Sequence, residues 1–191
     1  TLSVVAASGG SAVNRCTKTP AMGNPDRGVS WNGFGNGLPS TRFQDRKAGG
    51  LTAVDLPRLK LKWAFGYAGV GAARAQPTYA AGRLFIASEN GEVHALDPES
   101  GCTYWTFKAE AGVRTAPFVA NWRAAGKSGT GVYFGDGRAN VYGLDASTGT
   151  LLWKRKVDEH ASASITGSPV VHDGRVFVGV QGYDRMNEGA A

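Results

Sequence analysis

Two arginines, three hydroxyl residues and a glutamine recur at fixed distances ahead of three prolines. Arg74, Arg114 and Thr166 lie three positions before Pro77, Pro117 and Pro169. Gln76, Ala116 and Ser168 lie one position before the same prolines, and Thr115 follows Arg114. The chemistry these types can do together is anion binding. A guanidinium fork holds a carboxylate through two parallel N–H bonds, and Ser, Thr and Gln add single hydrogen bonds. Brought together on one axis, they would suit a ligand with several carboxylates. The other reading is that Arg74 and Arg114 are solvated rim residues, since exposed ionic side chains commonly do nothing specific.

Other reactive types are less well placed. His94, His160 and His172 lack ligand spacing, which argues against metal binding. Asp136 in FGDGR and Asp173 in VHDGR read as turn formers. GYAGVGAAR (66–74) contains Gly-x-Gly without the strand–helix unit of a dinucleotide site. Trp31 and Phe34 in WNGFGNG (31–37) read as anchors of a packed loop, the alternative being aromatics that stack on a polymer. Cys16 and Cys102 form no CxxC or CxxCH, which excludes zinc ribbons and covalent haem within this stretch. They leave open one disulfide or two free thiols.

The elements that must position these residues are visible as a repeat. LDPESGCTYW (96–105) and LDASTGTLLW (144–153) share Leu, Asp, Gly and Trp in identical register. Upstream of each run a Pro, an apolar segment, a turn and two further alternating segments; a third copy begins at SPVVHDGRVFVGVQ (168–181), and an earlier one ends at LKLKWAF (59–65). Trp63 precedes Trp105 by 42 residues and Trp105 precedes Trp153 by 48. Four short strands in such a unit is the length of a propeller blade. The extra six residues are expected in a polar loop insertion, NWRAAGKSG (121–129). The sequence therefore predicts an all-β fold, a partial β-propeller of about three four-stranded blades. Residues 51–191 are expected to form the repeats and residues 1–50 a non-repeat segment packing on them. In each docking loop, Asp97 or Asp145 is expected to cap the turn, Gly101 or Gly149 to supply positive φ, and the following Trp to pack on the next blade.

Charge and composition bound the function. The formal charge of +6 is spread without the basic–aromatic runs of nucleic-acid binders, so no nucleic-acid partner is expected. No apolar run is long enough to cross a membrane. TLSVVAASGG lacks the basic n-region of a signal peptide, and the first residue is Thr. A closed propeller needs at least four blades, so the chain is expected to be a sector of something longer, without turnover by itself.

The LDxxxGxxxW pattern resembles the tryptophan-docking motif of quinoprotein alcohol dehydrogenases, eight-bladed propellers that hold pyrroloquinoline quinone (PQQ). Four further segments resemble the polyvinyl-alcohol dehydrogenase branch: WNGFGNGLPSTRFQ (31–44), AGGLTAVDLPRLKLKWAFG (48–66), RAQPTYAAGRLFIASENGEVHALDPESGCTYWTFKAEAGVRTAP (74–117) and ITGSPVVHDGRVFVGV (165–180). The resemblance implies PQQ and Ca2+ as cofactors and oxidation of a polymeric or small secondary alcohol. A carboxylate base would remove the hydroxyl proton while Ca2+ polarises a quinone carbonyl. That base lies in later blades of the family, so none is assigned here. The resemblance also implies a cytochrome c acceptor, its haem c on a separate domain or chain, and a periplasmic location that would permit a Cys16–Cys102 disulfide. Arg74, Gln76, Arg114, Thr115, Thr166 and Ser168 are then the expected quinone contacts. Glu188, and similarly Asp184, lies where the family places acidic residues near the cofactor; the plainer reading is a solvated loop acid. A second class stays open: a non-catalytic propeller of the outer-membrane assembly lipoprotein type, which shares the docking motif and holds no quinone.

Overall fold

A computed structural model describes residues 3–6 and 14–182. Two complete four-stranded antiparallel sheets dominate it. The first runs β3 (Thr78–Ala80), β4 (Arg83–Ala87), β5 (Glu92–Leu96) and β6 (Thr103–Lys108), in spatial order 3-4-5-6. The second runs β7 (Phe118–Ala124), β8 (Lys127–Gly135), β9 (Asn140–Asp145) and β10 (Leu151–Lys156), again as consecutive neighbours. A third blade begins with the antiparallel pair β11 (Val170–His172) and β12 (Arg175–Phe177). On the other side, β2 (Trp63–Gly66) is paired in parallel with β1 (Ser3–Ala6). Among the described residues, helix is confined to one turn, α1 (Arg46–Gly49), and a 3₁₀ turn at Leu56–Arg58. No described helix is long and apolar enough to cross a membrane.

Period-two alternation builds the core between blades. Phe85, Val93, Ala95 and Trp105 from the first blade meet Val119, Val132, Phe134, Tyr142 and Leu144 from the second. The opposite face of β9 supplies Val141 to a second cluster with Ala139, Ala163 and Ile165, against which Trp153, Val176 and Val178 pack. The second sheet is thus packed on both faces, as a wedge between neighbours must be.

The docking motif closes these wedges. Asp145 Oδ1 accepts from the amides of Ser147 and Thr148 at 3.0 and 2.9 Å, and Asp97 Oδ2 accepts from Ser100 N at 2.9 Å. Gly101 and Gly149 sit at φ 72° and 74°. The indole of Trp63 donates to Pro98 O and that of Trp105 to Ala146 O, both at 3.0 Å. Each of these indoles covers the glycine of the next blade's loop, Trp63 over Gly101 and Trp105 over Gly149. Arg83 rivets the same junction: 2% exposed, it donates to Ala146 O, Ser147 O and Pro20 O at 3.2, 2.7 and 3.2 Å and lies over the Tyr104 ring.

The segment 121–129 differs from expectation. It is not a loop insertion: β7 and β8 continue through it in register, Asn121 opposite Thr130 and Ala124 opposite Lys127. Ala125 and Gly126, with φ 48° and 74°, make the two-residue hairpin turn whose twist suits antiparallel strands. The polar composition reflects a solvent-exposed extension of the sheet rather than the absence of one.

The N-terminal stretch covers strand edges. Arg15 bridges Thr103 in parallel, with Thr103 N donating to Asn14 O at 2.8 Å and Cys16 N to Thr103 O at 3.1 Å. This lays residues 14–16 along β6, an edge that would otherwise be open to association. Cys16 and Cys102 are joined in a disulfide, with Cα atoms 5.1 Å apart and a sequence separation of 86. A cross-link over a loop of that length stabilises by about 4–5 kcal/mol in the chain-entropy model.

His94 on β5 is buried beside Phe65 and Tyr67, ring centroids 5.1 and 6.0 Å away, with Nδ1 3.0 Å from Thr106 Oγ1. Burial pushes its imidazole from 6.5 down to about 4, against the opposing pull of Glu92. The unfolded chain therefore binds the proton first on acidification, and stability is lost as pH falls from about 6.5 towards 4. The expected loss from this group is about 2 kcal/mol at pH 5 relative to pH 7.5. Urea midpoints across that range should fall less steeply in His94→Phe; parallel pH profiles would assign the acid sensitivity elsewhere.

Candidate functional site

The loops leading into β3, β7 and β11 occupy equivalent places in three successive blades. Five of the residues singled out by internal symmetry meet there: Arg74, Gln76, Arg114, Thr166 and Ser168 line one cleft of about 360 Å³ together with Phe34 and Gly167. A larger cleft near Arg46 and Leu51 lacks such converging polar groups.

The hydrogen bonds of these side chains leave capacity on the cleft side. Gln76 Oε1 accepts from Gly35 N at 2.9 Å, which engages the carbonyl end of the amide. Ser168 Oγ accepts from Ala116 N at 2.7 Å and keeps its own O–H to donate. Thr166 donates to Gln181 Oε1 at 2.8 Å and keeps acceptor capacity. Thr115 is different. It is fully buried, and its hydroxyl spans the Gly135 carbonyl and amide at 3.1 Å each. It ties the strand entry next to Arg114 to β8 and does not line the cleft. Glu188 and Asp184 lie outside the described residues.

Two participants were not legible beforehand. Glu89, in the turn between β4 and β5, brings its Oε1 within 2.9 Å of Arg74 Nη1 and 3.1 Å of Arg114 Nε. These are ion-pair contacts rather than aligned hydrogen bonds, since the same oxygen receives no N–H along its lone-pair directions. Phe34 is the second. Expected as a buried anchor, it is 51% exposed and forms part of the cleft wall. The loop carrying it is fastened instead through its polar neighbours. Asn32 pairs its side-chain amide with Val119 N and O at 2.8 and 2.7 Å, and Gly33 N donates to Thr78 Oγ1 at 3.1 Å. Trp31 bridges Tyr79 by two backbone bonds of 2.8 and 2.9 Å. The loop is thereby held on the innermost strands of two blades, and Phe34, with the Arg42 guanidinium 5.2 Å from its ring centroid, lines the cleft beside the basic groups.

The donor set suits a flat polyanion: two guanidiniums for carboxylates, the Ser168 hydroxyl and the Gln76 amide for single hydrogen bonds, and an aromatic wall. Its volume lies in the range of small-molecule sites. No group of three or more His, Cys, Asp or Glu gathers as a metal site among the described residues.

A PQQ-repeat family model, described as outer membrane protein assembly factor BamB, matches residues 47–131 and 121–186. The chain belongs to the PQQ-repeat propeller family. Within it, the chain is 40% identical over 157 residues to a polyvinylalcohol dehydrogenase of a Pseudomonas species, covering 82% of this chain and 24% of that protein. It is 37% identical over 164 residues to the polyvinylalcohol dehydrogenase of Sphingopyxis sp. strain 113P3, covering 86% and 24%. Among solved structures, quinohemoprotein alcohol dehydrogenase from Comamonas testosteroni superposes with a TM-score of 0.65 at 26% identity, over 80% of this chain and 23% of that one. The chain spans about a quarter of the length of these relatives. In sequence it resembles a stretch of the polyvinylalcohol dehydrogenases, and in fold a sector of a quinohemoprotein alcohol dehydrogenase propeller.

Proposed function

We propose that this chain supplies part of the quinone-binding wall of a PQQ-dependent dehydrogenase that oxidises secondary alcohols of the polyvinyl-alcohol kind. The observation that carries this reading is the convergence of Arg74, Gln76, Arg114, Thr166 and Ser168 on one cleft. PQQ bears three carboxylates on a planar ring system. Arg74 and Arg114 offer forks to those carboxylates, the Ser168 hydroxyl and the Gln76 NH2 offer single hydrogen bonds, Thr166 offers an acceptor for a donor group of the ligand, and Phe34 offers an apolar ring on one side of the cleft. When bound, the quinone supplies the two-electron acceptor for alcohol oxidation. The residues of this chain bind and orient; the proton-accepting base is assigned to other blades. Transfer of electrons to a cytochrome c follows from the family likeness. The Cys16–Cys102 bridge supports an oxidising compartment such as the periplasm. Ca2+ remains part of the reading through the likeness to quinoprotein dehydrogenases, and no residue of this chain is assigned to it.

The second reading, a quinone-free scaffold of the outer-membrane assembly type, draws on the description of the matching family model. The two separate cleanly. Full-length protein mixed with PQQ and Ca2+ is expected to retain the quinone through desalting and to reduce an artificial dye with a secondary alcohol as donor. Failure of both quinone uptake and dye reduction would favour the scaffold.

A further inference from the structure

Arg74 and Arg114 come from different blades, and nothing in the backbone of either forces them to face each other. Each is about half exposed, at 56% and 49% of its side chain. Both contact the same oxygen of Glu89, so the two contacting nitrogens are no more than about 6 Å apart. Two like charges at that separation repel, and two exposed long side chains would relax apart into solvent if nothing bridged them. Glu89 is only 25% exposed and is itself fixed by its turn. Gly91 N donates to Ser88 O, Val113 N donates to the same carbonyl from the loop that leads to Arg114, and Ser88 N donates to Glu92 O. Gly112 presses so closely on Glu89 that a Cβ there would lie 2.4 Å from the Glu89 carbonyl. The turn that carries the carboxylate and the loop that carries Arg114 therefore move as one unit.

The two blades that follow carry no acid at this turn position. Gly137 occupies the equivalent turn position of the second blade, and Gln181 that of the third, where it takes a hydrogen bond from Thr166 in place of an ion pair. The acid in Arg114's own blade turn, Asp136, is buried and taken up by Arg138 N, Asn140 and Tyr142 Oη, and Arg114 instead contacts the Glu89 of the neighbouring blade. One acid thus serves two arginines, and the trio keeps a net charge of +1 for an incoming anion.

We propose that Glu89 is a positioning residue: by sharing one carboxylate oxygen between guanidiniums of adjacent blades, it holds Arg74 and Arg114 converged on the cleft in the geometry that receives a polyanion. The proposal rests on the quinone-binding reading above. Its opposite is that Glu89 competes with the ligand for the arginines, in which case its removal would tighten binding.

The test is a double-mutant cycle in the full-length protein, with PQQ affinity read by fluorescence titration and thermal unfolding followed in parallel. Glu89→Gln, which keeps shape and removes charge, is expected to weaken PQQ binding about 10-fold or more. In an Arg74→Ala background, where only one guanidinium remains to be held, the same change should cost less than about threefold. Glu89→Asp, which keeps the charge on a shorter arm, should recover part of the loss and serves as the probe if the Gln variant folds poorly. Unchanged or tighter binding by Glu89→Gln overturns the proposal, as does an equal loss in both backgrounds. Arg74→Ala that itself leaves PQQ affinity unchanged would instead remove the quinone-binding reading, and Glu89's role with it.

Discussion

Full-length protein carrying Arg74→Ala and Arg114→Ala together is expected to emerge from purification without PQQ and to fail to retain it after reconstitution. A hydrogen bond to a charged group contributes about 1.5–3 kcal/mol, so each single change should weaken quinone binding about 10- to 150-fold, and the pair by more than either. The substitutions should leave the fold intact. Both side chains are half exposed, and neither belongs to the buried clusters between blades. Arg→Lys at the same positions separates charge from geometry. A lysine keeps the positive charge but cannot grip a carboxylate with two parallel bonds, so it should rescue only part of the affinity. The bound-quinone absorbance after desalting reads the result directly. Undiminished retention in the double alanine variant would remove both arginines from the site and return them to the solvated rim.

The arginine pair was legible because propeller repeats make position informative. Counting back from Pro77, Pro117 and Pro169 picks side chains at one level of successive blades, and the structure brings five of them to one cleft. The same logic hid Glu89. Its counterparts are Gly137 and Gln181, so aligning the repeats marks no acid at that level. A broken symmetry is where a repeat protein places something particular to one blade, and composition gives no warning of it. Phe34 was misplaced for another reason. An aromatic among glycines is more often buried, and only the polar fastening by Asn32 and Thr78 shows how the loop can expose it. Arg83 shows the converse, a charged residue whose sequence context suggests solvent but which is sealed against three carbonyls of two other segments. Thr115 shares its neighbours' level but points the other way along a period of two, into the core. The pairing of Cys16 with Cys102 needed the strand-like contact of residues 14–16 with β6, a link between distant segments that carries no local signal.

The docking motif makes the sharpest prediction about stability, because two glycines with the same backbone angle have different neighbours. Gly126 and Gly149 both sit at φ 74°. At Gly126 an added Cβ would meet nothing within 4 Å; at Gly149 it would lie 2.6 Å from Cδ2 of the Trp105 ring. Gly126→Ala should therefore cost only the left-handed backbone conformation, about 1 kcal/mol. Gly149→Ala adds displacement of a buried indole that is 5% exposed and fixed by its bond to Ala146 O, so about 3–4 kcal/mol is expected. Trp105→Ala alone should cost about 3–5 kcal/mol through the cavity and the lost hydrogen bond. In that background Gly149→Ala should fall back to about 1 kcal/mol, since the ring it collides with is gone. Urea midpoints of the four variants measure this. Equal costs at Gly126 and Gly149 would mean that the glycine of the docking loop answers to backbone angle alone, and that the blades are not held together by an indole seated on it.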